Sequence, residues 1–284
     1  MSKLRGKKPE EKNPRLKALM FGPAGVGKTT AAIQMPKPYV IDCEGGTSHY
    51  GEIIEKKGGA VFETTSMTDV IEEVRALASE KHDYLTLVVD PFTAIYDTEL
   101  ERAEKVVGSD FGRHYGQANK TAKRLYHLLS QLDMNVVVTC HSKNVYGDGM
   151  KLAGTTFDGW KRLDYLFDTV FSLDRDPKNK KLRIAKVAKT RLVEFPDQDV
   201  FPWSYDELAR RYGDDKLTRH AETIDLPNDE QLAQFRGLYE KLSDAELKRL
   251  KISTVIKSID EVDDLPASRL QKGIDLMSKH LKGV

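Results

Sequence analysis

Residues 22–29, Gly22-Pro23-Ala24-Gly25-Val26-Gly27-Lys28-Thr29, fit the pattern G-x-x-x-x-G-K-[ST], the P-loop. Glycines at these spacings let successive backbone N–H groups turn toward phosphate oxygens. A helix expected to begin at Lys28 adds the partial positive charge of its first turn. Lys28 would then reach the β- and γ-phosphates and Thr29 would offer its hydroxyl to Mg²⁺, with Thr30 beside them. The ligands implied are ATP and Mg²⁺.

Such a loop needs a carboxylate for the metal. Asp90 closes the run Leu85-Thr-Leu-Val-Val-Asp90, where a buried parallel strand would end at the ligand crevice of an open sheet. There it would share Mg²⁺ with Thr29. Attack on the γ-phosphate also needs a group that orients or deprotonates water. Glu44, just beyond the run Tyr39–Asp42, is the first choice and Asp42 the second. His141 follows the run Met134–Cys140 and could sense the γ-phosphate; a histidine held only by the fold is the plainer alternative.

The stretch Lys178–Arg191 carries seven basic residues and no acid. At its end, Lys189 and Arg191 could stabilise charge on a transferring phosphoryl group, inserted from a neighbouring subunit. They could instead grip a nucleic-acid backbone, or form a solvated basic strand.

Alternating strands and helices must position these residues. Apolar runs at Leu16–Phe21, Tyr39–Asp42, Val61–Thr64, Tyr84–Val89 and Met134–Cys140 read as strands. Helical spacing is expected over Lys28–Met35, Met67–Ser79, Phe92–Val107 and Gln117–Leu132. This rhythm indicates an α/β fold with a mostly parallel central sheet. Phe167–Leu173 and Leu182–Ala188 read as a hairpin extending it. Gly108–Gly116 and the segment from His141 to Gly159 read as loops. Asn228–Gln231, Ser243–Glu246 and Ser268–Gln271 each resemble a helix capping box.

Four segments are expected: a flexible basic arm at 1–15, a core at 16–205, a linker at 206–224 and a helical C-terminal module at 225–284. The chain has 284 residues with 45 basic and 44 acidic side chains, so any nucleic-acid affinity must come from local patches. Two cysteines exclude a disulfide framework and a zinc cluster. Apolar runs are strand-sized and the first twenty residues are charged, so no membrane span or signal peptide is expected and a cytoplasmic location is.

In order, the P-loop, the strand ending Asp-Cys-Glu44, the strand ending Asp90, the strand ending Thr-Cys-His141 and the hairpin ending Lys-Thr-Arg191 resemble a RecA-like P-loop NTPase core. The order is most similar to the short core-only ATPases of bacteriophages that act as single-strand annealing proteins or recombinases. That resemblance implies an ATPase, stimulated by single-stranded DNA, that promotes annealing or strand exchange. Glu44 would position water, and His141 would link the γ-phosphate to a DNA-binding loop. Lys189 and Arg191 would contact ATP on an adjacent protomer, within a filament or ring. Gly108–Gly116, with Arg113, His114 and Tyr115, and Ser142–Gly159, with Lys143, Tyr146 and Lys151, would face single-stranded DNA. A single-strand-binding protein is a further implied partner. A helicase-like or helicase-loading ATPase, or a nucleotide-switched assembly module on DNA, is the alternative.

Overall fold

A computed structural model of the chain describes residues 14–256 and 259–282. The strands are β1 (Lys17–Gly22), β2 (Pro38–Asp42), β3 (Ala60–Glu63), β4 (Thr86–Asp90), β5 (Asn135–Tyr146), β6 (Leu152–Phe157), β7 (Thr169–Arg175), β8 (Arg183–Thr190) and β9 (Val200–Pro202). The helices are α1 (Lys28–Ala32), α2 (Gly51–Lys56), α3 (Met67–Ser79), α4 (Phe92–Val107), α5 (Arg113–Gln131), α6 (Tyr205–Tyr212), α7 (Asp214–Thr218), α8 (Asp229–Tyr239), α9 (Asp244–Arg249) and α10 (Ala267–Leu281).

One sheet runs β3-β2-β4-β5-β1-β7-β8-β9, with β6 pairing to β5. The pairs from β3 through β7 are parallel; β7–β8, β8–β9 and β5–β6 are antiparallel. Successive residues of the central strands face opposite sides, so both faces are apolar. Leu19, Phe21, Leu87, Val89, Val136 and Val138 pack with α3, α4 and α5. Ala18, Met20, Val88 and Val137 pack with α1, α6 and α7 on the other face. This is the α/β P-loop architecture expected from the alternation of strands and helices. A third apolar cluster, around Phe235, Leu247, Ile252, Leu270 and Met277, belongs to the C-terminal helices. Asp263 ties them to the body through Arg124 of α5, at 2.9 Å.

Several expectations need correction. The expected linker at 206–224 is instead α6 and α7, whose Leu208, Ala209, Tyr212 and Leu217 are core residues. Ser204 caps α6 by accepting from Glu207 N–H, an S-x-x-E signal that the sequence carried. Most of the expected arm, 1–13, lies outside the described residues, but Arg15 is no part of a mobile arm. Its guanidinium is buried and bonds Asp133 twice, at 3.0 Å each, and the carbonyl of Arg219 at 2.6 Å.

The expected loop Ser142–Gly159 is mostly a β-hairpin, because β5 continues past the sheet and pairs with β6 from Ser142↔Phe157 to Tyr146↔Leu152. The expected loop Gly108–Gly116 shrinks to a single turn, and Arg113, His114 and Tyr115 form the first turn of α5. Two capping boxes, at Asn228 and Ser243, are formed. Ser268 forms none, since α10 starts earlier, after Pro266. Helix α2 was not anticipated. Among the described residues no helix is long and apolar enough to cross a membrane.

Lys17 is buried at the start of β1, where its ammonium donates to the carbonyls of Leu132, at 2.7 Å, and Met134, at 2.9 Å. Burial pushes it down to about 7, against the pull of Asp133 and Asp168. Between that pH and its ordinary value the unfolded chain binds more protons, so stability should rise as pH increases from about 7. One linked proton contributes up to about 1.4 kcal/mol per pH unit. Urea unfolding at pH 7 and 8.5 should therefore show a steeper gain for the native chain than for Lys17→Met. Equal gains in the two proteins would refute this account.

Candidate nucleotide site

Strand register brings the chemistry together. In the parallel β1–β5 pair Gly22 lies opposite His141, so the P-loop and the histidine leave the sheet side by side. In the β2–β4 pair Asp42 lies opposite Asp90, which places the turn carrying Glu44 beside the buried carboxylate. A cavity of about 210 Å³ at these strand ends is lined by Gly25, Lys28, Thr29, Glu44, Asp90 and His141, among others.

The P-loop has the backbone its glycines predict, with φ of 70° at Gly25 and 94° at Gly27, a region that side chains with a Cβ rarely enter. The Lys28 ammonium lies back along the loop, donating to the carbonyls of Gly22 at 3.0 Å and Pro23 at 3.2 Å. Burial lowers its pKa, and the nearby Asp90 and Glu44 carboxylates only partly oppose this. Thr30 points elsewhere, donating to the Tyr50 hydroxyl at 3.3 Å.

Asp90 is buried and accepts from the Thr139 hydroxyl, and the Thr29 hydroxyl lies near enough to favour its charged form. Burial raises its pKa despite those hydroxyls and the Lys28 charge. A desolvated carboxylate next to a threonine hydroxyl, with only oxygen donors, suits Mg²⁺, which takes few protein ligands and keeps phosphate and water oxygens. Thr29 and Asp90 are the residues that would hold it.

Asp42, the second choice for activating water, is otherwise employed. Its carboxylate accepts from Thr47 N–H at 2.8 Å, Thr47 hydroxyl at 2.6 Å, and the N–H groups of Glu44 and Gly46 at 3.1 Å each. Burial alone would raise its pKa, but these bonds outweigh it and hold the carboxyl below the usual range. Asp42 therefore folds the turn that presents Glu44. Glu44 itself is half exposed, with its Oε1 3.2 Å from Nε2 of His141.

His141 is anchored at its backbone. Its N–H donates to the hydroxyl of the buried Thr93 at 3.0 Å, and that hydroxyl donates to the Asp158 carbonyl at 2.7 Å. Asp158 N–H donates back to the His141 carbonyl at 2.8 Å. The residue beside Glu44 is thus also the root of the β5–β6 hairpin.

Lys189 and Arg191 are not brought to this site within one chain. They lie at the end of β8 that pairs with the start of β7, the end of the strands opposite the P-loop. There Lys189 donates to the carbonyls of Asp164 and Phe167, and Arg191 donates to that of Tyr165 at 2.9 Å. Two arginines that sequence reasoning missed do reach the P-loop: Arg175 donates to the Gly25 carbonyl at 2.8 Å and Arg183 to that of Val26 at 3.0 Å. Only Arg183 fell inside the basic stretch that drew attention, and its spacing from the loop carried no signal.

Of the residues expected to face DNA, Tyr115 and Tyr146 are exposed, and Lys143 pairs with Asp158 at 2.9 Å. Lys151 and Arg113 are exposed, whereas His114 is partly buried with its ring tilted against Tyr115. Phe111 is fully exposed, and Met150 and Leu152 also stand in solvent on the hairpin.

Residues 15–196 match the family described as AAA domain. The chain belongs to that family. The matched residues span the P-loop, Glu44, Asp90, His141 and the β7–β8 hairpin, and membership supports nucleotide binding and hydrolysis in general. A search of curated proteins finds no match to the chain. Among solved structures, an ATPase from the type III secretion system of pathogenic bacteria is similar over 93% of this chain and 79% of its own, at 11% identity and a TM-score of 0.37. A likeness that loose adds nothing to the functional reading.

Proposed function

We propose that this AAA domain is an ATP-hydrolysing protein that binds single-stranded DNA and promotes annealing or strand exchange, as do the phage recombination proteins it resembles. The observation that carries the reading is the double engagement of His141. Its ring meets Glu44 at the nucleotide site, while its backbone roots a hairpin that displays Val145, Tyr146, Met150 and Leu152 to solvent. A change in what the ring contacts can therefore be felt by the hairpin, and the exposed Tyr146 ring, with Lys143 and Lys151 on the same hairpin, suits stacking on a base and pairing with a phosphate backbone.

In this reading Lys28 leaves its two carbonyls for the β- and γ-phosphates, and Glu44 orients water and accepts its proton. His141 then exchanges Glu44 for the γ-phosphate. Mg²⁺, held by Thr29 and Asp90, would neutralise charge on the phosphates. Lys189 and Arg191 would act on ATP bound to an adjacent protomer, since they lie far from their own P-loop along the sheet; this makes hydrolysis depend on self-association. A single-strand-binding protein remains the further partner the reading suggests.

ATP hydrolysis by the purified protein, with and without single-stranded DNA at two salt concentrations, tests the reading. Stimulation that fades at high salt is expected, because backbone contacts release counterions. Tyr146→Ala should weaken binding to an oligonucleotide by about tenfold, given roughly 1–3 kcal/mol per stacked base. Hydrolysis indifferent to DNA would instead favour a switch driven by a protein partner.

A further inference from the structure

The tip of the β7–β8 hairpin contains a pairing that the fold does not need. Arg175 and Arg183 stand directly opposite each other across the two antiparallel strands, an arrangement of like charges that ordinarily destabilises a sheet. Neither guanidinium has a carboxylate partner among the described residues. Each is held instead by a carbonyl of the P-loop, Arg175 by Gly25 and Arg183 by Val26. Arg183 lies so close beneath Gly27 that it leaves no room there for a Cβ.

We propose that Arg175 and Arg183 clamp their own P-loop, holding its backbone in the conformation that accepts a nucleotide polyphosphate and adding two unneutralised charges beside it. Three facts converge on this role. The arginine bonds fix the carbonyls of two successive loop residues, Gly25 and Val26, and with them the planes of the peptides whose N–H groups follow. The mutual repulsion of the two cations is relieved by any anion in the P-loop, so an occupied site and the pairing stabilise each other. The bonds bridge residues some 150 positions apart in the chain (the Arg175–Gly25 separation), so the loop's shape depends on the hairpin staying in place. Both are positioning residues, distinct from Lys189 and Arg191 at the other end of the same hairpin. The inference rests on nucleotide binding at the P-loop and is independent of DNA.

Equilibrium titration of the full chain with methylanthraniloyl-labelled ATP, ADP and AMP in the presence of Mg²⁺ tests it. Arg175→Ala and Arg183→Ala should each weaken the triphosphate by about tenfold, the scale of one charge-assisted hydrogen bond. The monophosphate should be affected much less, and Arg183→Lys should recover part of the loss. If Arg183→Ala does not fold, the partly exposed Arg175 decides the matter alone. Variants with native melting temperatures that bind the triphosphate as the native chain does would overturn the clamp, as would an equal loss for all three nucleotides. A native chain that binds none of them would overturn the nucleotide reading itself, and the clamp with it.

Discussion

Glu44→Gln should cut ATP turnover by about 10²–10⁴-fold, the usual share of a positioned acid–base group. Nucleotide affinity should change by no more than about threefold, because the exchange is isosteric and removes nothing that touches the P-loop in this structure. The Glu44 side chain is half exposed and its one described side-chain partner is His141, so the fold has little to lose. An amide can still accept from the imidazole but cannot take a proton from water. Steady-state turnover beside titration with labelled ATP separates the two effects. His141→Ala provides the contrast: it should leave more basal turnover than Glu44→Gln while uncoupling turnover from single-stranded DNA. Native turnover in Glu44→Gln would remove Glu44 from the chemistry. Asp42 could not simply take its place, since four hydrogen bonds already engage its carboxylate.

Lys28→Met should weaken ATP binding by about 100-fold and abolish measurable turnover, through loss of charge-assisted bonds worth about 1.5–3 kcal/mol. The same variant should be no less stable than the native chain without nucleotide. Burial holds the Lys28 ammonium below its ordinary pKa, so its charged form is disfavoured in the folded state relative to the unfolded one. Its hydrogen bonds go to backbone carbonyls rather than to a carboxylate. Removing that cation relieves a cost which phosphate would otherwise offset. Thermal melts with and without Mg²⁺ and ATP distinguish the outcomes: the native chain should gain melting temperature on adding nucleotide, and the variant should not. A variant that still gains as much would show that the loop binds nucleotide without its lysine.

Much of the site was legible because its signals are local. The P-loop spacing states a backbone conformation, and Gly25 and Gly27 adopt it. Asp90 follows a short, mostly apolar run rich in β-branched residues, the length and composition of a buried strand with a polar residue at its mouth. Elsewhere local signals misled. The segment after His141 looked like a loop because Gly147, Gly149, Gly154 and polar residues break the apolar alternation. An exposed hairpin has no buried face to impose that alternation. The stretch at 206–224 looked like a linker because Pro196, Pro202 and Trp203 just before it read as irregular, yet Leu208, Tyr212 and Leu217 help to seal one face of the sheet. A short helix needs few apolar residues when a large sheet supplies the rest of the contact.

By itself the sequence determined the alternation of strands and helices, the phosphate-binding loop and the carboxylate at the end of β4, because each depends on neighbours within a few residues. Only the tertiary structure decided what stands beside what. Register set Gly22 against His141 and Asp42 against Asp90, so that Glu44 and the histidine meet. The antiparallel return of β8 sent Lys189 and Arg191 to the opposite end of the strands and brought Arg183, with Arg175, to the P-loop. Those placements follow from the order and direction of strands, which is a property of how the whole chain packs, and no pattern within one segment encodes it.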